Sequence, residues 1–229
     1  MDRSAWLKEQ RRLTEEQHDT IYAPIYDEKW GAIDPTHQRF FHRFLELCPP
    51  HSRILDAACG TGKYWPLILA SDRTVFGIDQ SQGMLARAHK KFPEVSSEKM
   101  GLQEMRYRDA FDGAVCMDAL ENVFPEDWSL VLSNLYRAIK PQGYCYFTVE
   151  IAAEKDIENA FAAGQHLGLP VVYGEWAQEG GYHAEWAQEG FYHYYPKIEQ
   201  VKEWVLRAEF HLIDETAGDE YHHFLVQRH

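Results

Sequence analysis

The chain has 229 residues, 45% of them hydrophobic, and a formal net charge of -13 with histidine neutral. That length suits one domain with a sizeable core, and that composition excludes a disordered chain. The acidic balance disfavours non-specific binding to nucleic acid or to an anionic membrane, and no apolar run approaches membrane-spanning length.

Residues 1–50 read as a helical cover. Residues 4–20 are charged and helical. Tyr22, Tyr26 and Trp30 recur every four residues, although Pro24 is expected to break a simple helix. Asp34-Pro35-Thr36 is a helix start with proline at the first helical position, and Pro49-Pro50 ends that helix. From 51 to 150 strands alternate with helices, which means a mostly parallel sheet. Strands are expected near 53–57, 74–78, 95–99, 112–117 and 143–150, and helices near 62–70, 81–91 and 126–139. The segment 151–196 follows an alanine-rich helix with a tandem duplication. EWAQEGGYH (175–183) recurs as EWAQEGFYH (185–193), differing only at Gly181 and Phe191. It reads as a hairpin with turns near Gly180-Gly181 and Gly190. Its role stays open between a substrate lid and a protruding or dimer-contacting element. Residues 197–229 hold a last helix and two strands.

Four cysteines (Cys48, Cys59, Cys116 and Cys145) form no C-x-x-C pair. They suit a reducing compartment, and MDRSAWLKEQRR lacks the apolar core of a signal peptide, so a cytoplasmic protein is expected. Lys90-Lys91 falls at a helix end, where cations stabilise the dipole.

The most informative stretch is ILDAACGTGKYWPLIL, 54–69: a buried strand, a tight glycine turn and a helix. An α/β sheet opens a ligand crevice at such a turn. A dinucleotide fingerprint needs a third glycine, where this chain has Trp65. A nucleoside-like ligand without phosphates tolerates a bulky residue there. Asp79 ends the next strand, 19 residues after Gly60, where an acid can accept hydrogen bonds from ribose hydroxyls.

DAACGTG followed by GIDQSQGML, FDGAVCMDALENV and IKPQGYCYFTVE resembles the class I S-adenosylmethionine-dependent methyltransferases, and most of all their small-molecule members. The resemblance covers about residues 20–150 and, more loosely, 196–229. It implies a single domain with a Rossmann-like, doubly wound seven-stranded sheet in the order 3-2-1-4-5-7-6, its last hairpin antiparallel. It also implies S-adenosylmethionine as the cofactor. Carried over by motif, Asp56, Ala57, Gly60 and Gly62 would hold the methionine part. Asp79 would grip the ribose, and Gln80, Met84, Leu102 and Gln103 would flank the adenine. Met117 would lie beneath the sulfur, and Tyr26 would close over the donor. Core packing is the rival reading for Met84 and Met117.

The acceptor side is less determined. Asp118 and Glu121 follow the fourth strand, and many relatives carry histidine where Asn122 stands. Asp118, Glu121 or His193 could position or deprotonate an acceptor; capping, surface or structural roles are the alternatives. His222-His223 point to opposite faces of a strand, and the twelve histidines show no zinc-type spacing, so no metal is expected. The expected function is methyl transfer to oxygen or nitrogen of a small molecule, by a monomer or homodimer without nucleic-acid or membrane partners. The alternatives are a protein or nucleic-acid methyltransferase and a non-catalytic donor-binding protein. A nicotinamide-dependent reductase is disfavoured by Trp65.

Overall fold

The computed structural model describes residues 2–178 and 191–229. A seven-stranded sheet is built from β1 (Arg53–Ala57), β2 (Thr74–Asp79), β3 (Ser96–Lys99), β4 (Phe111–Cys116), β5 (Ile139–Glu150) and a C-terminal hairpin. The short pair β6 (Glu175–Gln178) and β7 (Phe191–Tyr194) stands apart, and β8 (Phe210–Ala217) and β9 (Tyr221–Arg228) form the hairpin. The spatial order is β3-β2-β1-β4-β5-β9-β8, parallel except where β9 pairs with β5 and β8. This is the expected order, with the two strands of the separate pair left out of the count.

The central strands are apolar throughout because helices cover both faces. Successive residues alternate between two cores. Ile54 packs with Val75, Val115, Tyr146 and Trp65, whereas its neighbour Leu55 packs with Phe111, Phe147, Leu132 and Trp204. On the first face lie α3 (Pro35–Leu47), α4 (Trp65–Leu69) and α5 (Gln82–Lys91). Asp34 caps α3 by accepting from the backbone of Thr36 and His37. Phe40, Phe41, Phe44 and Leu45 seal its inner side, each contributing roughly 1.5–3 kcal/mol by burial. On the second face lie α6 (Trp128–Ala138) and α8 (Ile198–Arg207), where Trp128 stacks on Trp204 at 5.0 Å. α7 (Glu154–His166) leads into the separate strand pair.

Three local expectations change. Pro24 does not interrupt the cover: α1 (Arg3–Gln17) runs through a π-turn (His18–Tyr22) into α2 (Ala23–Trp30). The Ala23 N–H bonds the His18 carbonyl, and this wider turn accommodates a residue without an N–H immediately afterwards. α6 ends at Ala138, and β5 begins at Ile139, ahead of a bulge at Pro141-Gln142-Gly143 where Gln142 takes a φ of 69°. α4 is shorter than expected because the glycine bend continues to Tyr64. In the duplication, the first copy pairs with the second, Trp176 opposite His193 and Ala177 opposite Tyr192. The turns expected near Gly180-Gly181 and Gly190 lie outside the described residues.

All four cysteines are buried and free. No helix among the described residues is long and apolar enough to cross a membrane. His222 and His223 do face opposite ways: His222 meets Glu215 at 3.1 Å, and the Nδ1 of His223 is 2.9 Å from the buried Tyr146 hydroxyl. Burial holds the His223 pKa down, at about 4, so near neutrality its Nδ1 accepts from Tyr146. Tyr146→Phe leaves that nitrogen unpaired, and should lower stability by about 1–2 kcal/mol in denaturant unfolding; an unchanged midpoint would show that the bond contributes nothing.

Candidate functional site

The ends of β1, β2, β4 and β5 meet at one edge of the sheet, beneath the N-terminal cover. Two adjoining cavities open there. The first lies over the glycine bend and includes Tyr26, Asp56, Gly60, Asp79, Gln80, Met84, Leu102, Gln103, Met117 and Asp118 in its wall. The second, about 820 Å³, is walled by Tyr22, Trp30, Glu121, Glu150, Trp176, His193, Tyr195 and Tyr221 among others. Thr14, His18, Tyr26, Lys63, Asp118 and Asn122 belong to both walls, so the two spaces meet along one seam.

Two of the residues expected at the donor are placed elsewhere. Ala57 lies in the core, fully buried. Gly62 serves packing: with a φ of 76°, its missing Cβ would come within 2.8 Å of the Trp65 ring. Gly77 on β2 clears the other side of that ring, where a Cβ would be 2.6 Å away. Trp65 therefore fills the space between bend and sheet, and its indole N–H donates to Asp56 Oδ2 at 2.9 Å. Ala58 and Cys59 take the places in the cavity wall expected for Ala57 and Gly62. Gly60 has open space over it: a Cβ there would meet nothing within 4 Å, and its φ of 52° suits glycine.

Asp79 is braced. Gly60 N–H donates to its Oδ2 and Ser81 N–H to its Oδ1, both at 2.8 Å. Burial raises its pKa, and the two backbone bonds partly offset that rise. Each oxygen keeps a lone pair for a ligand hydroxyl. Beyond β3, the turn Leu102–Glu104 is held by Asn134, whose amide donates to the Leu102 carbonyl at 2.9 Å.

The cover is latched to this floor. Asp19 Oδ1 accepts from Ser81 Oγ at 2.6 Å and from Gly83 N at 2.8 Å, which puts a carboxylate on the N-terminus of α5. Only glycine fits at 83, since a Cβ would lie 2.6 Å from the Asp19 carbonyl. Asp27 accepts from Thr61 of the bend and from Lys91 at 2.7 Å. Lys91 thus clamps α2 in addition to closing its own helix. His18, which the sequence did not mark, enters both walls through the π-turn. Its Nδ1 donates to the Thr14 carbonyl at 2.8 Å, and burial keeps its pKa low. A histidine four residues before Tyr22 in a charged helix was the available signal.

Asp118 is saturated. It accepts from His37 Nε2 (2.8 Å), Tyr64 Oη (2.8 Å), Lys63 Nζ (3.2 Å) and Thr148 Oγ1 (3.3 Å). Burial alone would raise its pKa. The His37 bond and the Lys63 charge outweigh burial and hold it well below the usual carboxylate range. A carboxylate this stabilised is a poor proton acceptor, which favours the positioning role over deprotonation, the two roles that the sequence left open. Its φ of 51° marks local strain where β4 leaves the sheet.

Glu121 and His193 do come together, beside Glu150. Burial and then the Glu150 charge push Glu121 well above the usual range. Next to His193, Tyr192 is structural: its ring meets Phe124 at 4.7 Å and its hydroxyl donates to Glu175 at 2.7 Å. Tyr195 lies in the cavity wall, whereas Tyr182 and Trp186 lie outside the described residues.

An acidic crevice over an open glycine, with a ribose-type carboxylate one strand away and no phosphate cradle, defines a nucleoside-binding α/β fold of the methyltransferase kind. Residues 54–143 match the family described as "Methyltransferase domain". A putative methyltransferase of Bacillus subtilis, YqeM, is 33% identical over 135 residues, 56% of this chain and 53% of the relative. The chain thus spans about half the length of that relative. A Methanosarcina mazei structure described as an S-adenosylmethionine-dependent methyltransferase superposes with a TM-score of 0.69 at 16% identity, covering 86% of this chain and 98% of its own. A 1,6-didemethyltoxoflavin-N1-methyltransferase from Burkholderia thailandensis, solved with S-adenosylhomocysteine, gives 0.64 at 15% identity, covering 98% and 88%. Over residues 54–143 the chain thus matches a methyltransferase domain, and its fold is that of the class I S-adenosylmethionine-dependent methyltransferases.

Burial pushes the Asp56 pKa up to about 7, against 3.8 for the unperturbed group; the Trp65 bond opposes the rise and the Asp79 and Asp118 charges add to it. The native state therefore keeps this proton longer than the unfolded chain, and stability falls as pH rises from near 4 through 7. Thermal unfolding of the ligand-free protein should show a loss of about 1 kcal/mol between pH 6 and pH 8. Asp56→Asn, which retains an acceptor for Trp65, should lack this slope; the same slope in both proteins would refute the assignment.

Proposed function

We propose that this protein transfers the methyl group of S-adenosylmethionine to an oxygen or nitrogen of a small molecule. The seam carries this reading. It joins the crevice over the glycine bend to a second cavity of about 820 Å³, and a methyl group leaving one would enter the other. The residues fit the donor. Asp79 would take the ribose hydroxyls, Asp56 and the backbone at Gly60 the methionine end, and Gln80, Met84, Leu102 and Gln103 the adenine. Met117 lies in the floor of the same crevice. The donor supplies an already activated methyl on a positively charged sulfur, so the protein's task is alignment and exclusion of water. Tyr26, wedged against Trp30 at 5.6 Å, and the latched cover would exclude water. Asp118, fixed by four donors, would keep β4, β5 and the glycine bend in register at the seam.

A cavity of about 820 Å³ beside the seam is of the size that takes a small molecule. The net charge of -13 also disfavours a nucleic-acid acceptor. Calorimetry with S-adenosylhomocysteine, against NAD as a control, tests the donor site, and turnover across a panel of hydroxyl- and amine-bearing acceptors tests the reaction. Asp79→Ala should weaken S-adenosylhomocysteine binding by about 10- to 100-fold, the cost of charge-assisted hydrogen bonds. Because Asp79 also braces Gly60 and Ser81, Asp79→Asn is the companion variant, and both are to be checked for native unfolding midpoints. Undiminished affinity in two folded variants would overturn the donor assignment.

A further inference from the structure

Three side chains in the larger cavity are not used by the donor site. Glu121 sits in the turn Leu120–Asn122 after β4, Glu150 is the last residue of β5, and His193 lies in β7. One ligating atom from each falls within 4.8 Å of the other two. Glu121 is only 5% exposed, yet its Oε2 has no hydrogen-bond partner among the described residues. Glu150 Oε2 and His193 Nδ1 are 2.8 Å apart, and both side chains retain some exposure toward the cavity. Among the described residues no lysine or arginine forms an ion pair with either glutamate; the nearby Lys63 is spent on Asp118.

Such an arrangement is expensive as it stands. A buried carboxyl group without a partner is destabilising, and a second one beside it adds to that. Nor do the two share a proton through Glu121 Oε2, which makes no hydrogen bond. A cation between them would satisfy the orphaned oxygen, remove the repulsion and use the imidazole together. We propose that Glu121, Glu150 and His193 bind a divalent transition-metal cation. Atoms sharing one such ion lie about 3 Å apart, so small side-chain rotations within the observed 4.8 Å bring them into place. Two carboxylates and an imidazole suit Mn²⁺, Fe²⁺ or Zn²⁺ better than Mg²⁺, which prefers oxygen and its own waters. Three protein ligands leave coordination positions open toward the cavity. Resting on the function proposed above, an open position would hold an oxygen of the acceptor beside the seam. This departs from the metal-free expectation drawn from residue spacing.

The test uses the whole protein after chelator treatment. Mn²⁺ binding is followed by electron paramagnetic resonance, and Zn²⁺ and Mg²⁺ by calorimetry. The expected result is one equivalent of Mn²⁺ or Zn²⁺ bound more tightly than Mg²⁺, weakened at least about tenfold in Glu121→Gln and in His193→Ala. S-adenosylhomocysteine titrations of the same samples report on folding and on the donor site separately. Absence of Mn²⁺ and Zn²⁺ binding at millimolar concentration, or unchanged affinity in both folded variants, overturns the cation site and leaves the donor reading intact. Failure of S-adenosylhomocysteine to bind wild-type protein overturns that reading and leaves the metal result standing.

Discussion

The organising constraint in this molecule is negative charge gathered where water is scarce. Asp56, Asp79, Asp118, Glu121 and Glu150 stand at or just beyond the ends of four neighbouring strands; Asp56, Asp79 and Glu121 are buried, and Asp118 and Glu150 are half-buried. Like charges in a low-dielectric setting repel strongly, so each must be neutralised or relieved. Asp79 is relieved by backbone N–H groups and Asp118 by a lysine, a histidine and two hydroxyls. Asp56 is relieved by holding its proton toward neutrality. Glu121 also holds its proton, pushed there by burial and the Glu150 charge, but its Oε2 has no hydrogen-bond partner among the described residues. The edge of the sheet is thus an electrostatic socket for positive charge, and a cationic sulfur and an amino group are what the family's donor brings to such a socket.

The second constraint is the enclosure of that socket. A carboxylate at a helix N-terminus, Asp19 on α5, and a second carboxylate, Asp27 on the glycine bend, tie the cover down at two points. Both ties depend on the chain passing from α1 to α2 through a π-turn. The wider turn advances His18, Asp19 and Tyr22 relative to a regular helix, and it accommodates Pro24. Farther along, Arg3 joins the cover to the separate strand pair through Glu175 at 2.9 Å and to the loop before α6 through Glu126. The cover is therefore tied both to the glycine bend and to the separate strand pair.

The parts of this arrangement differ in how well the sequence expresses them. The central strands were legible because burial on both faces requires unbroken apolar runs, and the crevice at the glycine bend because a glycine bend and an acid at fixed spacing are local features. Gly62 misled because its glycine is required by packing against Trp65, a reason that becomes visible only with the ring in place. Asp118 was readable only in part. Its position beside the seam was legible, but its role stayed open between positioning, deprotonation and capping, because His37, Lys63 and Thr148 come to it from distant parts of the chain. The Glu121–Glu150–His193 cluster was invisible for the same reason: its members lie far apart in sequence, so no ligand spacing exists to be recognised.

The strain at Asp118 links these themes. A non-glycine residue at a φ of 51° persists only when its surroundings hold it there. Here its N–H donates to Thr148 Oγ1 at 2.8 Å, while its carboxylate gathers donors from α3, the glycine bend and β5. The turn that carries Glu121 begins two residues later. The same four bonds that fix the seam therefore also set where Glu121 enters the acceptor cavity. The crevice over the glycine bend and the larger cavity therefore meet at one strained residue, Asp118, whose side chain stands in both walls.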